Sequence, residues 1–304
     1  MNIQVPLTIQ APVETSPTPE RTLQVQAWRI AYLSTLPDEQ TALAVIREPS
    51  PLVAVANPMP LADALATPAT PEEELLVIWV PPGAGNSELD AELQAFLTRG
   101  LPKNRAPFHA SIKTIRVTCF ETRAVIHASP EQIAEGMDAV ARFALAARQT
   151  AALEAQMTAT WSQIKTHTPL THAMTRRQER LRSQVNALTE RVADMKTLHL
   201  RLQTAIEQLD QTLSGTSKRM YADLAEAAGL WDRMEMLEDP IQFAHEHYEL
   251  VNWRLSEAAT ARKSNTLEIL IVVILLGDFL LRGFEYFTHT GWAWWNQAAS
   301  GIIP

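Results

Sequence analysis

The sequence predicts an α+β fold: a small N-terminal α+β domain, then a long-helix, coiled-coil domain and a C-terminal transmembrane helix. Three observations carry this. Fifteen of the 19 prolines precede residue 110, and proline lacks an N–H and clashes with the preceding turn, which keeps long helices out of that region. After Pro130 the apolar residues change from alternation to helical spacing. The most apolar run in the chain, residues 269–277, lies near its C-terminal end.

Composition removes several classes. At 304 residues, 46% hydrophobic and 20% charged, the chain can bury a core and is not wholly disordered. Only 10 glycines make it a poor candidate for a dinucleotide cradle, and a net charge of −8 argues against general nucleic-acid binding. One cysteine, Cys119, excludes an internal disulfide framework and a cysteine-rich zinc site.

Residues 1–20 read as a leader without the charged start and apolar run of a signal peptide. The α+β domain is expected over 21–128. Its strands are expected at 23–33, 75–80, 112–120 and 122–128, the last two parted by a turn at Glu121. A helix over Ser87–Thr98 places Leu89, Leu93, Phe96 and Leu97 on one side. Asn86 or Ser87 can cap its start, and Gly100 with Pro102 stops it. Cys119 is expected to be a buried structural thiol.

The helical domain is expected over 129–265. Ser129, Glu131 and Gln132 open a helix that runs to about His167, and Pro169 breaks it. A second helix, about 171–213, carries Leu181, Val185, Leu188, Val192, Met195, His199, Leu202, Ile206, Leu209 and Leu213. Their steps alternate four and three, the seam of a coiled coil. Gly215 ends it, a third helix covers about 217–237, and Pro240 begins a fourth. His199, a polar residue in an apolar seam, reads as a packing histidine, with register control or a protonation switch as the functional alternatives. The second helix is basic (Arg176, Arg177, Arg180, Arg182, Arg191, Lys196, Arg201), but no aromatics interleave for base stacking, so this reads as a solvated face.

Residues 266–288 form the expected transmembrane helix, with a short tail over 289–304. A charge at the membrane centre costs about 2.5–3.5 kcal/mol against roughly −0.3 to −0.6 for each aliphatic residue, so the eight aliphatics of 269–276 barely offset one unpaired charge. Asp278, Arg282, Glu285 and His289 step by four, three and four, forming one polar stripe whose members can neutralise each other and drive helix association. Arg262 and Lys263 before the run, and Trp292, Trp294 and Trp295 after it, are the expected membrane-interface residues. The basic pair would keep the N-terminal bulk on the cytoplasmic or matrix side of a bacterial or mitochondrial inner membrane.

Catalytic signatures are missing. The loop Pro81–Pro82–Gly83–Ala84–Gly85–Asn86 lacks the third glycine of a dinucleotide fingerprint and the Gly-Lys-Ser/Thr of a P-loop, so it reads as a turn with a helix cap. His245 and His247, about 200° apart on a helix, cannot share a metal ion. No cofactor or metal is expected.

Several residues carry a family likeness: Leu267–Glu268, the aliphatic run and Asp278, then Leu230–Trp231–Asp232, Tyr248 to Leu255, and Phe143 to Ala147. Over about 140–282 the chain resembles the "required for meiotic nuclear division"/YagE family, although Ile269 stands where an aromatic often follows the glutamate. The resemblance implies an α/β N-terminal domain, a helical middle, a membrane anchor, and a support or tethering role. It transfers no catalytic residue. The expected function is a non-enzymatic, membrane-anchored scaffold that binds a protein partner through its N-terminal domain and forms a homo-oligomer through its helices. The alternative is an oligomeric membrane effector whose stripe lines a pore; a hydrolase in the N-terminal domain has little in its favour.

Overall fold

The structure, a computed structural model, describes residues 24–37, 40–67, 74–99, 106–120, 122–171, 181–208 and 213–300, with side chains not described at 170 and 285–300. The leader, Gly100, Pro102, Glu121, Arg176, Arg177, Arg180 and Leu209 fall outside the described residues.

The architecture is mixed α+β with long C-terminal helices. In chain order it comprises β1 (Gln26–Leu33), β2 (Ala44–Ile46), β3 (Leu52–Met59), α1 (Leu61–Ala66), β4 (Glu74–Val80), α2 (Ser87–Thr98), β5 (Phe108–Ile112), β6 (Ile115–Phe120), β7 (Arg123–His127), α3 (Ile133–His167), α4 (Arg182–Glu207), α5 (Gly215–Ala227) and α6 (Leu230–Ser300). The strands form one seven-stranded sheet ordered β2-β3-β1-β4-β7-β6-β5. Only β4 and β7 run parallel, as their connection through α2 and the β5–β6 hairpin requires.

Both sheet faces are covered, which explains the near-continuous apolar run of β4. On one face Ala27, Leu76, Ile78, Val80 and Val125 pack with Ala64 of α1 and Leu93, Phe96 and Leu97 of α2. The cap of α2 is Asn86, whose side chain accepts from the Leu89 N–H at 2.7 Å. On the other face lies α3. Gly136 lets it approach so closely that an added Cβ would sit 3.1 Å from Ile126 Cγ2. The Phe108 and Phe143 rings meet edge-on at 5.8 Å, and the Tyr32 hydroxyl donates to the Ala141 carbonyl at 2.7 Å. Burial pushes the Tyr32 phenol up to about 12, while the Arg148 guanidinium 4.7 Å above its ring pulls the other way.

The expected strand 112–120 is instead the second half of a hairpin. Lys113 adopts a left-handed φ of 54° and turns the chain between β5 and β6. The two-residue turn preserves alternation, so the sequence pattern passes through it without a break. Pro240 does not begin a helix but lies inside α6. Its missing N–H leaves the Met236 carbonyl without a helical partner, and Met236 is exposed, so water can serve it. Gly215 does not close a helix; it is the first residue of α5, behind Ser214, whose hydroxyl caps the Ser217 N–H. The separation of α5 from α6 falls at Gly229, with φ +58°.

Among the described residues no helix is long and apolar enough to cross a membrane. The physical reason is the placement of Glu268, Asp278 and Arg282, which bracket and follow the aliphatic run. Two compact units divide the chain, one drawn from Met1–Ile164 and Glu190–His245, the other from Lys165–Thr189 and Glu246–Pro304.

Candidate functional site

The seam of α4 is used within the chain. Val185, Leu188, Val192, Met195, His199, Leu202 and Ile206 are buried, as is Leu213 beyond the helix end. Leu181 is half-buried, just ahead of the helix. In the first unit this seam meets the chain's own helices: the Thr160 hydroxyl of α3 lies 3.8 Å from Met195 Sδ, and His199 Nε2 lies 3.0 Å from the Met234 carbonyl of α6. A carbonyl only accepts, so His199 carries its proton on Nε2 and donates. That satisfies a histidine buried among aliphatics and ties α4 to α6. The basic residues Arg191, Lys196 and Arg201 lie off this seam.

No described residue covers the apolar stretch of α6. Every large apolar side chain from Leu267 to Phe284 is between 52% and 74% exposed, Leu270 the least and Phe279 the most. Because the exposure runs all round the helix, this is a sleeve and not a stripe. Its charges are partly matched: Arg282 Nε lies 3.1 Å from Asp278 Oδ2, one turn away. Arg262 is half-buried and Lys263 exposed, about one turn before the sleeve. Glu285, His289, Trp292, Trp294 and Trp295 continue α6, but their side chains lie outside the described residues.

Among the concavities of the first unit are the following two. A groove of about 540 Å³ runs between α3 and α6 over Met157, Trp161, Met236, Leu237 and Pro240. At one end Glu154 and Arg233 form an ion pair, and nearby the Trp161 and Phe243 rings meet at 5.6 Å. A cavity of about 200 Å³ opens between the β2–β3 connection, α3, α4 and α5, lined by Arg47, Glu48, Arg142, Gln208 and Tyr221 with small apolar residues between. Arg142 is held by Asp138, at 2.8 Å from Nε, and by the Val45 carbonyl, at 3.1 Å from NH2.

The remaining polar features are structural in their contacts. Arg123, which sequence reading missed, is buried and donates to the carbonyls of Phe96 (2.7 Å) and Thr67 (3.0 Å), closing the ends of α2 and α1. Burial, helped by nearby Arg99, lowers its pKa. A charged residue opening the apolar segment Arg123–His127 was the available signal. Cys119 is buried, and burial pushes its thiol pKa up. His167 Nδ1 lies 3.2 Å from the Tyr248 hydroxyl, with His247 edge-on to the same ring. Burial lowers the pKa of both histidines, and each imidazolium would repel the other. Among the described residues no three His, Cys, Asp or Glu side chains converge as a metal set. In the loop 81–86, Gly83 has φ +80° and Asn86 serves as a cap.

No protein-family model and no curated protein matches the chain. Among solved structures, the full-length CmaX protein aligns over 92% of this chain and 86% of its own at 14% identity. Its TM-score of 0.30 carries no argument about this chain.

Proposed function

We propose that the protein is a membrane-associated scaffold, with the sleeve over 267–284 entering the lipid and the first unit presenting the α+β sheet domain to a protein partner. The observation that carries this reading is the exposure of every large apolar side chain over that stretch. Soluble proteins rarely leave a contiguous apolar surface of this extent in water, and a helix apolar on all sides belongs in a core or in lipid. Eighteen residues span about 27 Å, close to the roughly 30 Å hydrocarbon layer.

A single copy falls short of a span because its charges are costly. The Asp278–Arg282 pair lowers that cost, and turning the stripe toward a second copy would lower it further, since intramembrane charges face a bundle interior. Homo-oligomerisation therefore belongs to the proposal, and it runs through α6, because the seam of α4 is already buried. An inner-membrane location and a tethering role agree with the resemblance to the meiotic nuclear division/YagE family, itself proposed on the residues named above.

Membrane fractionation with an alkaline wash tests the reading. The full-length chain should remain with the membranes, and a chain truncated after Lys263 should be released. Release of the full-length chain, or retention of the truncated one, would overturn it.

A further inference from the structure

We infer that the groove between α3 and α6 of the first unit docks a basic amphipathic helix of another protein. Every residue lining it lies in the described part of α3 or α6. Trp161 is 51% exposed, Met236 67% and Phe243 50%, so three large apolar side chains stand in water along one groove. Such a patch marks an interaction surface. From Arg233, paired with Glu154, to Phe243, paired with Trp161, the run along α6 is about 15 Å, roughly three helical turns. An amphipathic helix of that length lays its apolar face into such a groove, and the unbranched side chains of Met157 and Met236 can adapt to it.

The banks select the partner's charge. At about 100° per residue, Leu237 and Pro240 turn from the Met236 crest toward α3, while Asp232, Glu235 and Asp239 turn away from it. These three carboxylates are exposed, and none is ion-paired with a described residue. Across the groove the exposed residues Ala155, Thr158 and Ser162 of α3 are uncharged. The one cation at the groove, Arg233, is already held by Glu154. A helix whose lysines or arginines follow one edge of its apolar face therefore matches both banks. A second copy pairing through the same groove would set acid against acid, which disfavours it.

Fluorescence anisotropy with the full-length chain in a neutral detergent tests this. The probes are two labelled helical peptides with the same leucine pattern, one carrying lysine and the other glutamate at the polar positions. The lysine peptide should bind saturably, one per chain, at least about tenfold more tightly than the glutamate peptide, and should weaken as salt rises. Asp232→Asn with Glu235→Gln and Asp239→Asn should weaken it about tenfold, as should Met236→Ser alone. These side chains are exposed, so both variants keep the fold. Peptide taken up by detergent is the same for every variant and does not enter the comparison. No saturable binding, equal affinity for the two peptides, or unchanged affinity in either variant would overturn the inference. Self-association that Met236→Ser abolishes, without peptide binding, would overturn it in favour of a second copy. The outcome does not depend on whether the sleeve enters a membrane.

Discussion

Glu154 and Arg233 meet in a two-pronged ion pair, Nε to Oε1 at 2.7 Å and NH2 to Oε2 at 2.8 Å. It joins α3 to α6 in the first unit beside the apolar groove. Both side chains keep partial solvent access, 22% for Arg233 and 35% for Glu154, so screening limits the pair's worth. The forked geometry still lifts it above an ordinary surface pair. Arg233→Met should cost about 1 kcal/mol in urea denaturation, and a double-mutant cycle with Glu154→Gln should recover roughly 0.5–1 kcal/mol of coupling. Coupling indistinguishable from zero would mean that the packing of α3 on α6 rests on apolar contacts alone.

Gly136 sets how closely α3 lies on the sheet. An added Cβ meets Ile126 Cγ2 at 3.1 Å, Ile126 Cδ1 at 3.6 Å and Ile115 Cγ2 at 3.7 Å. These belong to β-branched side chains with few alternative rotamers. Gly136→Val should therefore destabilise by about 1–3 kcal/mol, despite the helix propensity lost at glycine. Chemical denaturation reads this directly, and a neutral or stabilising result would show that α3 can lift from the sheet without cost.

Acid should weaken the fold through His167 and His247. Burial lowers both pKa values from an ordinary value near 6.5. The unfolded chain then binds more protons than the folded one in the window just below 6.5, so stability falls as pH falls through it. The contribution is full above that value and is lost on acidification. His167→Gln with His247→Gln should flatten the stability–pH slope between pH 6.5 and 5; an unchanged slope would assign acid sensitivity to other groups, His127 among them, whose pKa burial and Arg116 also lower.

Cys119 sits at a buried position facing α3, and its thiol is held protonated. Only thiolate reacts with disulfide reagents. The native chain should show no fast-reacting thiol, and denaturant should release one per chain. Stoichiometric labelling of the native protein would contradict the packing of β6 against α3.

What could be read in the sequence follows from how locally each feature is encoded. Ser87–Thr98 was legible to its ends because its cap Asn86 and its buried Leu93, Phe96 and Leu97 lie within one short segment. The seam of α4 was legible for the same reason, although spacing alone does not distinguish a second copy from the chain's own α3 and α6. The strand Ala44–Ile46 is three residues long and shows no period, and Leu52–Met59 holds Asn57 and Pro58, which argue against a strand unless it is an edge. Pro58 lies where β3 has passed the end of β2 and is an edge. The cavity at Tyr221 was invisible because its walls come from four separate segments, joined only by the fold.

The sleeve yields a prediction that separates its two uses. Asp278 and Arg282 neutralise each other across one helical turn. Replacing Arg282 strands Asp278, and an unpaired charge at the membrane centre costs about 2.5–3.5 kcal/mol on insertion scales. Arg282→Leu alone should therefore weaken membrane retention in an alkaline wash. Asp278→Leu with Arg282→Leu should restore it or exceed the native level, since both charges leave and two aliphatics enter. If the stripe serves as a lumen for ions, the double variant should abolish ion leakage from reconstituted vesicles while remaining membrane-bound. A scaffold instead leaves the vesicles tight in every variant and is held most firmly by the doubly substituted helix. Retention that ignores both variants would place the membrane contact elsewhere in the chain and remove the sleeve from the reading.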